Sequence, residues 1–126
     1  MERREVRFPS GKLSLEGVLG FPDGKGPFPA VVICHPHPLH GGNMDNNVVV
    51  SVFEALLEAS FIPFKFNFRG VGGSEGEHGD GNGEREDVSA TIDFVGGQRE
   101  VDAARMGLAG YSAGAAFAFP VGVTDA

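Results

Sequence analysis

Apolar and polar positions alternate in ways that divide the chain into strands and helices. Val6 and Phe8 alternate with charged neighbours, Pro9-Ser10-Gly11-Lys12 makes a turn, and Leu13, Leu15, Val18 and Leu19 follow with polar residues between. This pattern predicts an antiparallel hairpin with one wet face. Phe21 to Pro29 is punctuated by proline and glycine and predicts a loop. Ala30-Val31-Val32-Ile33-Cys34 is apolar without a break, as a central parallel strand buried on both faces would be. His35 to Gly42, stiffened by Pro36 and Pro38, leaves that strand as an irregular loop.

Polar residues from Asn43 to Asn47 open a helix, in which Val49, Val52, Phe53 and Leu56 recur at helical spacing. Phe61 to Phe68 returns to strand character, with Phe64, Phe66 and Phe68 on one face and Lys65 and Asn67 on the other. Pro63 is tolerable only near that strand's start. Arg69 to Gly83 is a polar, glycine-rich loop, expected as a flexible rim. A second helix from Glu84 carries Val88, Ile92 and Val95 on one face and stops at Gly96-Gly97. Arg105 to Ala109 has strand length, and Ala115-Ala116-Phe117-Ala118-Phe119 reads as the first turns of a buried helix.

A hairpin followed by alternating strands and helices predicts an α/β fold: a mostly parallel sheet with an N-terminal antiparallel hairpin and helices on both faces. In such sheets chemistry gathers beyond the carboxyl ends of the strands. Three loops leave there: His35–Gly42, Arg69–Gly83 and Gly110–Gly114. Topology alone brings the most unusual residues of the chain to one rim.

The third of these loops is Gly110-Tyr111-Ser112-Ala113-Gly114, a G-x-S-x-G between a strand and a helix. A serine nucleophile in that context sits on a sharp turn, and very small residues two positions either side let strand and helix approach. Gly110 and Gly114 meet that need, and Ala113 keeps the following N–H reachable. A glycine-rich turn that happens to hold a serine is the bland alternative.

Composition narrows the partners. The net charge of −7, with no Lys/Arg cluster beyond Arg3-Arg4, argues against a nucleic-acid or anionic-membrane surface. The charged N-terminus is followed by no apolar leader segment, and no run approaches membrane-spanning length, so a soluble, cytoplasmic protein is expected. The single cysteine, Cys34, forms no internal disulfide and is expected as a small buried hydrophobe.

The motifs His35-Pro36-His37-Pro38, Gly41-Gly42, Phe68-Arg69-Gly70-Val71-Gly72, Ser74-Glu75-Gly76 and Gly110-Tyr111-Ser112-Ala113-Gly114 stand in an order that resembles the N-terminal half of an α/β-hydrolase. They are most similar to the small bacterial dienelactone-hydrolase-like group. The resemblance implies one incomplete domain over residues 1–126 and acyl transfer, with Ser112 attacking an ester-like carbonyl of a small molecule. The oxyanion would be held by the N–H of Ala113 and by a backbone N–H carried onto His37, with Leu39 as the alternative, since Pro36 and Pro38 have no N–H. No cofactor is implied.

One departure stands out. The acid and histidine of that superfamily follow the serine in chain order, yet after Ser112 there is no histidine and Asp125 is the only acid. The triad acid and histidine are therefore expected to be missing, as are the C-terminal strands. The exposed strand edge would then invite self-association or pairing with a C-terminal half. Ser112 without a base is a weak nucleophile, so this chain alone is expected to be inactive or weakly active. His37, His40 or His78 could stand in as base, although His78 is expected to be a solvated loop histidine.

Three rival readings remain. His35, His37 and His40, with Asp45 and His78 nearby, have the look of metal ligands for a metal-dependent hydrolase. Gly70 to Gly76 follows a strand as a nucleotide loop would, but Glu75 occupies the third glycine position and the next helix begins too late. A non-catalytic binding or assembly module using the strand edge is the third. Arg69 on the rim could meet an anionic substrate or form a structural salt bridge.

Overall fold

The computed structural model describes residues 1–37, 42–79 and 81–110. In chain order they form β1 (Glu2–Ser10), β2 (Leu13–Phe21), β3 (Phe28–Cys34), α1 (Asn47–Glu58), β4 (Ile62–Phe66), α2 (Asn82–Gly96) and β5 (Val101–Gly110). The strands make one five-stranded sheet in the spatial order β1-β2-β4-β3-β5.

The hairpin is present and antiparallel, but its turn is tighter than the sequence suggests. Pro9 pairs with Ser14 and Ser10 with Leu13, so only Gly11 and Lys12 are left to close it. Proline is tolerated there because β1 lies at an edge of the sheet. β2 joins β4 antiparallel, and β3 pairs parallel with both β4 and β5. The sheet is thus mixed, with its parallel part centred on the uninterrupted apolar strand β3.

Both faces are covered. Alternate residues of β3 point to opposite sides, as strand geometry requires. Ala30, Val32 and Cys34 belong to a core with Phe64, Phe66 and the α2 residues Val88 and Val95. Ile33 faces the other way, into a smaller core with Val49, Phe53 and Leu57 of α1. Phe8 meets Phe64 edge-on, with ring centroids 5.4 Å apart, which fixes β1 to the larger core.

The helical stripes differ slightly from expectation. In α1 the buried set is Val49, Phe53 and Leu57, with Val52 and Leu56 half-buried at its margin. The side chain of Asn46 caps this helix by accepting the Val48 N–H at 2.9 Å. In α2, Val88 and Val95 are buried as expected, but Ile92 is half-buried and Glu84, Asp87 and Thr91 take buried places. β4 is shorter than its apolar run, because Asn67 and Phe68 leave the ladder while staying buried. β5 is longer, and its pairing with β3 is irregular at the start: Phe28 sits opposite Val101 but Ala30 opposite Met106.

Candidate active site

The parallel strands end almost level. Cys34, the last residue of β3, pairs with Gly110, the last of β5. Adjacent strands lie about 4.8 Å apart, so the chain leaving Gly110 and the loop that begins at His35 start side by side. Tyr111, Ser112, Ala113 and Gly114 lie outside the described residues, as do Pro38, Leu39, His40, Gly41 and Asp125.

His35 is a structural bracket. It is 1% exposed, and its Nε2 accepts the Phe68 backbone N–H at 3.1 Å. An amide N–H can only donate, so Nε2 keeps its lone pair and the ring hydrogen is on Nδ1. Nδ1 then donates to the Pro36 carbonyl at 2.7 Å. Burial pushes the His35 pKa down, partly opposed by the Pro36 carbonyl, while the charges of His78 and His37 add to the lowering. Both ring nitrogens are engaged, so His35 has no lone pair to offer a metal. A metal site that counts His35 as a ligand is therefore not available.

The same loop is pinned once more. The Gly42 N–H donates to the His37 carbonyl at 3.0 Å. A β-carbon at Gly42 would collide with the Pro36 carbonyl oxygen, which explains physically why glycine stands there. Asp45, further along, is exposed and ion-paired with Lys65 at 3.3 Å. Among the described residues no group of three or more His, Cys, Asp or Glu side chains is arranged to hold a metal ion.

The loop after β4 is strapped down rather than flexible. Asn67 accepts the Met44 N–H at 2.8 Å and donates to Glu16 at 2.7 Å, tying the β3–α1 loop to β2. Glu16 also accepts the Gly73 N–H at 2.5 Å. The Ser74 hydroxyl donates to the Asn67 carbonyl at 2.7 Å and accepts the Glu16 N–H at 3.0 Å. Glu75 and Ser14 exchange two further bonds, at 2.8 and 3.0 Å. Glycines in this stretch serve tight approach: a β-carbon at Gly72 would meet the Asn67 amide at 2.5 Å.

Two charged residues of the rim are committed to the fold. Arg69 grips the fully buried Asp87 with Nη2 at 2.8 Å and Nε at 3.1 Å, and its own backbone N–H adds a bond at 2.9 Å. The Ser10 hydroxyl donates to the same carboxylate at 2.7 Å. Arg69 is thus a structural partner, its guanidinium pKa raised chiefly by the hydrogen bond to Asp87. His78 is not a solvated loop histidine either. Its side chain is 17% exposed, and Nδ1 lies 3.4 Å from the buried Glu84 carboxylate. Its ring meets that of His37 edge-on at 4.9 Å. Glu84 in turn accepts the N–H groups of Gly79 and Gly81 at 2.8 and 2.9 Å.

Asn67, Glu16, Glu84 and Asp87 were not singled out by the sequence pattern. Glu84 and Asp87 had a readable signal, since they fall on the helical stripe shared with Val88, Thr91 and Val95. Cys34 is fully buried, as expected, and burial pushes its thiol up to about 12.

Comparison with known proteins follows the same lines. The X-Pro dipeptidyl-peptidase (S15) family profile matches residues 12–124. An alpha-beta serine hydrolase homologue from Coxiella burnetii is similar with a TM-score of 0.83 and 37% identity, over 96% of this chain and 57% of that one. A serine hydrolase without lid from Xanthomonas campestris has a TM-score of 0.87 and 31% identity, over 98% of this chain and 57% of its own. An uncharacterised protein of Rickettsia prowazekii is 42% identical over 67 residues, 53% of this chain and 28% of that protein. The chain therefore spans little more than half the length of these solved structures, and its architecture is that of the N-terminal part of the α/β-hydrolase fold.

Proposed function

Because the chain belongs to the X-Pro dipeptidyl-peptidase (S15) family, we propose that the protein is a serine hydrolase with Ser112 as nucleophile. The observation that carries this reading is the register of β3 against β5. With Cys34 opposite Gly110, the G-Y-S-A-G pentapeptide follows directly from the strand end that adjoins the His35–Gly42 loop. A nucleophile and an oxyanion donor from the two loops would then flank one carbonyl.

In this mechanism the Ser112 Oγ forms a bond to the substrate's carbonyl carbon while its proton passes to a base. The N–H groups of Ala113 and His37 hold the oxyanion. Collapse breaks the bond to the leaving group, which takes up the proton, and water then releases the acyl group from Ser112. Each oxyanion donor supplies on the order of 3 kcal/mol in the transition state. The substrate class is a small-molecule ester-like carbonyl. The family description names a peptidase, and amide and ester cleavage share this acyl-enzyme route.

No histidine follows Ser112 in these 126 residues, where the superfamily's triad carries its base. The 126 residues alone then carry a poorly activated serine. A fluorophosphonate probe is expected to label the full-length protein at Ser112 and to lose that labelling in Ser112→Ala. Labelling that survives Ser112→Ala would refute the nucleophile. Fast, stoichiometric labelling of the 126-residue chain by itself would refute the missing base.

A further inference from the structure

The Pro36–His37 peptide carries two groups with different fates. Its carbonyl is the Pro36 oxygen that His35 Nδ1 holds at 2.7 Å; its N–H is that of His37, the second oxyanion donor of the proposed mechanism. The bond is not among the cis peptides of the chain. In a trans peptide the C=O and N–H point in opposite directions and turn together as one rigid plane.

We propose that His35 is the positioning residue of the oxyanion hole: by drawing the Pro36 carbonyl inward, its ring turns the His37 N–H outward to the rim. This deepens the serine-hydrolase reading and rests on it. Three observations support it from different sides. The Phe68 N–H fixes the imidazole as the Nδ1–H tautomer, which is the one able to donate to Pro36. Edge-on contact with Phe68, at 4.9 Å between centroids, keeps the ring from rotating. The backbone of Gly42 closes the other side of the Pro36 oxygen so tightly that a β-carbon would collide with it. The next peptide is held as well, through the His37 carbonyl and the Gly42 N–H at 3.0 Å. A donor held before substrate arrives needs no reorganisation in the transition state.

The two nitrogens of His35 can be tested separately. Asparagine places an amide N–H where Nδ1 stands and drops the bond to Phe68. Glutamine reaches the Nε2 position to accept from Phe68 and drops the bond to Pro36. In the full-length protein, with an activated ester as substrate, His35→Gln is expected to lower kcat about a hundredfold with KM within about twofold. His35→Asn is expected to recover most of that loss. Urea midpoints measured in parallel report the structural role, and the kcat order should not follow them. Equal kcat losses in the two variants, or wild-type kcat in His35→Gln, would overturn the proposal. Should His35→Gln not fold, Gly42→Ala presses on the same Pro36 oxygen with His35 intact. It is expected to lower kcat at nearly constant KM, and wild-type kcat there also overturns the assignment. Ser112→Ala separates the two levels. An active Ser112→Ala protein removes the hydrolase reading itself, whereas an inactive one beside a fully active His35→Gln removes only the role of His35.

Discussion

Truncating Asp87 to alanine tests whether the rim loop is held by one buried ion pair. Asp87 is fully buried and accepts from the Arg69 guanidinium, the Arg69 backbone N–H and the Ser10 hydroxyl. Without it, Arg69, whose side chain is 18% exposed, keeps Glu86 at 3.9 Å as its ion-pair partner among the described residues. Removing one partner of a buried pair costs about 3–5 kcal/mol, because the other charge stays desolvated. Two more donors, Ser10 Oγ and Arg69 N–H, lose their acceptor and keep the loss toward the upper end of that range. For a domain stable by about 5–15 kcal/mol, that is a third of the total or more. With a urea m-value of about 2 kcal/mol/M, the unfolding midpoint should fall by about 2 M at unchanged m. The Asp87→Ala/Arg69→Met pair should recover much of the loss, since no charge then remains buried. A midpoint shift below about 0.5 M in Asp87→Ala, or a fully additive double variant, would refute this account of the loop.

Two further outcomes follow from buried titratable groups. Cys34 is fully buried with its thiol held up to about 12, so the native protein should react with an aromatic disulfide reagent far more slowly than the urea-unfolded chain. Equal rates would show that the β3 end is open. His35 is held neutral in the fold, below its ordinary value, with His37 and His78 as the titratable groups whose charges bear on it. The unfolded chain therefore takes up the extra proton as pH falls through about 6.5. Stability fully present above that pH should decline below it, and urea midpoints of His35→Asn across pH 8 to 5 should show a flatter acid limb. An unchanged limb would mean that His35 is not the group responsible.

Much of the fold was legible because period and burial agree. The unbroken run Ala30–Cys34 has only one satisfactory position, between two strands and under two helices, and β3 occupies it. The rim was legible as a set of loops but not as a set of contacts. His78 read as a solvated loop histidine and Arg69 as either a substrate contact or a salt-bridge partner, with nothing to name that partner, whereas each rim residue is bonded or packed against a specific one: Arg69 to Asp87, Glu75 to Ser14, and His78 against His37. Hydrophobic periodicity reports where the chain is apolar; it carries no information about which buried donor finds which acceptor. Asn67 shows the limit well. As a polar residue in a strand it looks like a defect, yet its side chain and backbone join three segments of the rim.

The irregular start of β5 has a consequence for how the domain tolerates change. Between Phe28 and Ala30 on β3, the partner strand advances from Val101 to Met106, and the surplus residues Ala103, Ala104 and Arg105 stand exposed. From Met106 onward the pairing runs in step to Gly110. Length mismatch is thus absorbed at the end of the sheet far from the rim, like slack taken up in a slip joint. Residues gained or lost near Ala103–Arg105 need not shift Gly110 relative to Cys34, whereas one inserted after Met106 would exchange the two faces of the strand and push its tip out by about 3.3 Å. The upstream end of β5 is accordingly the place where a linker or tag can be inserted without altering the alignment of the two strand ends.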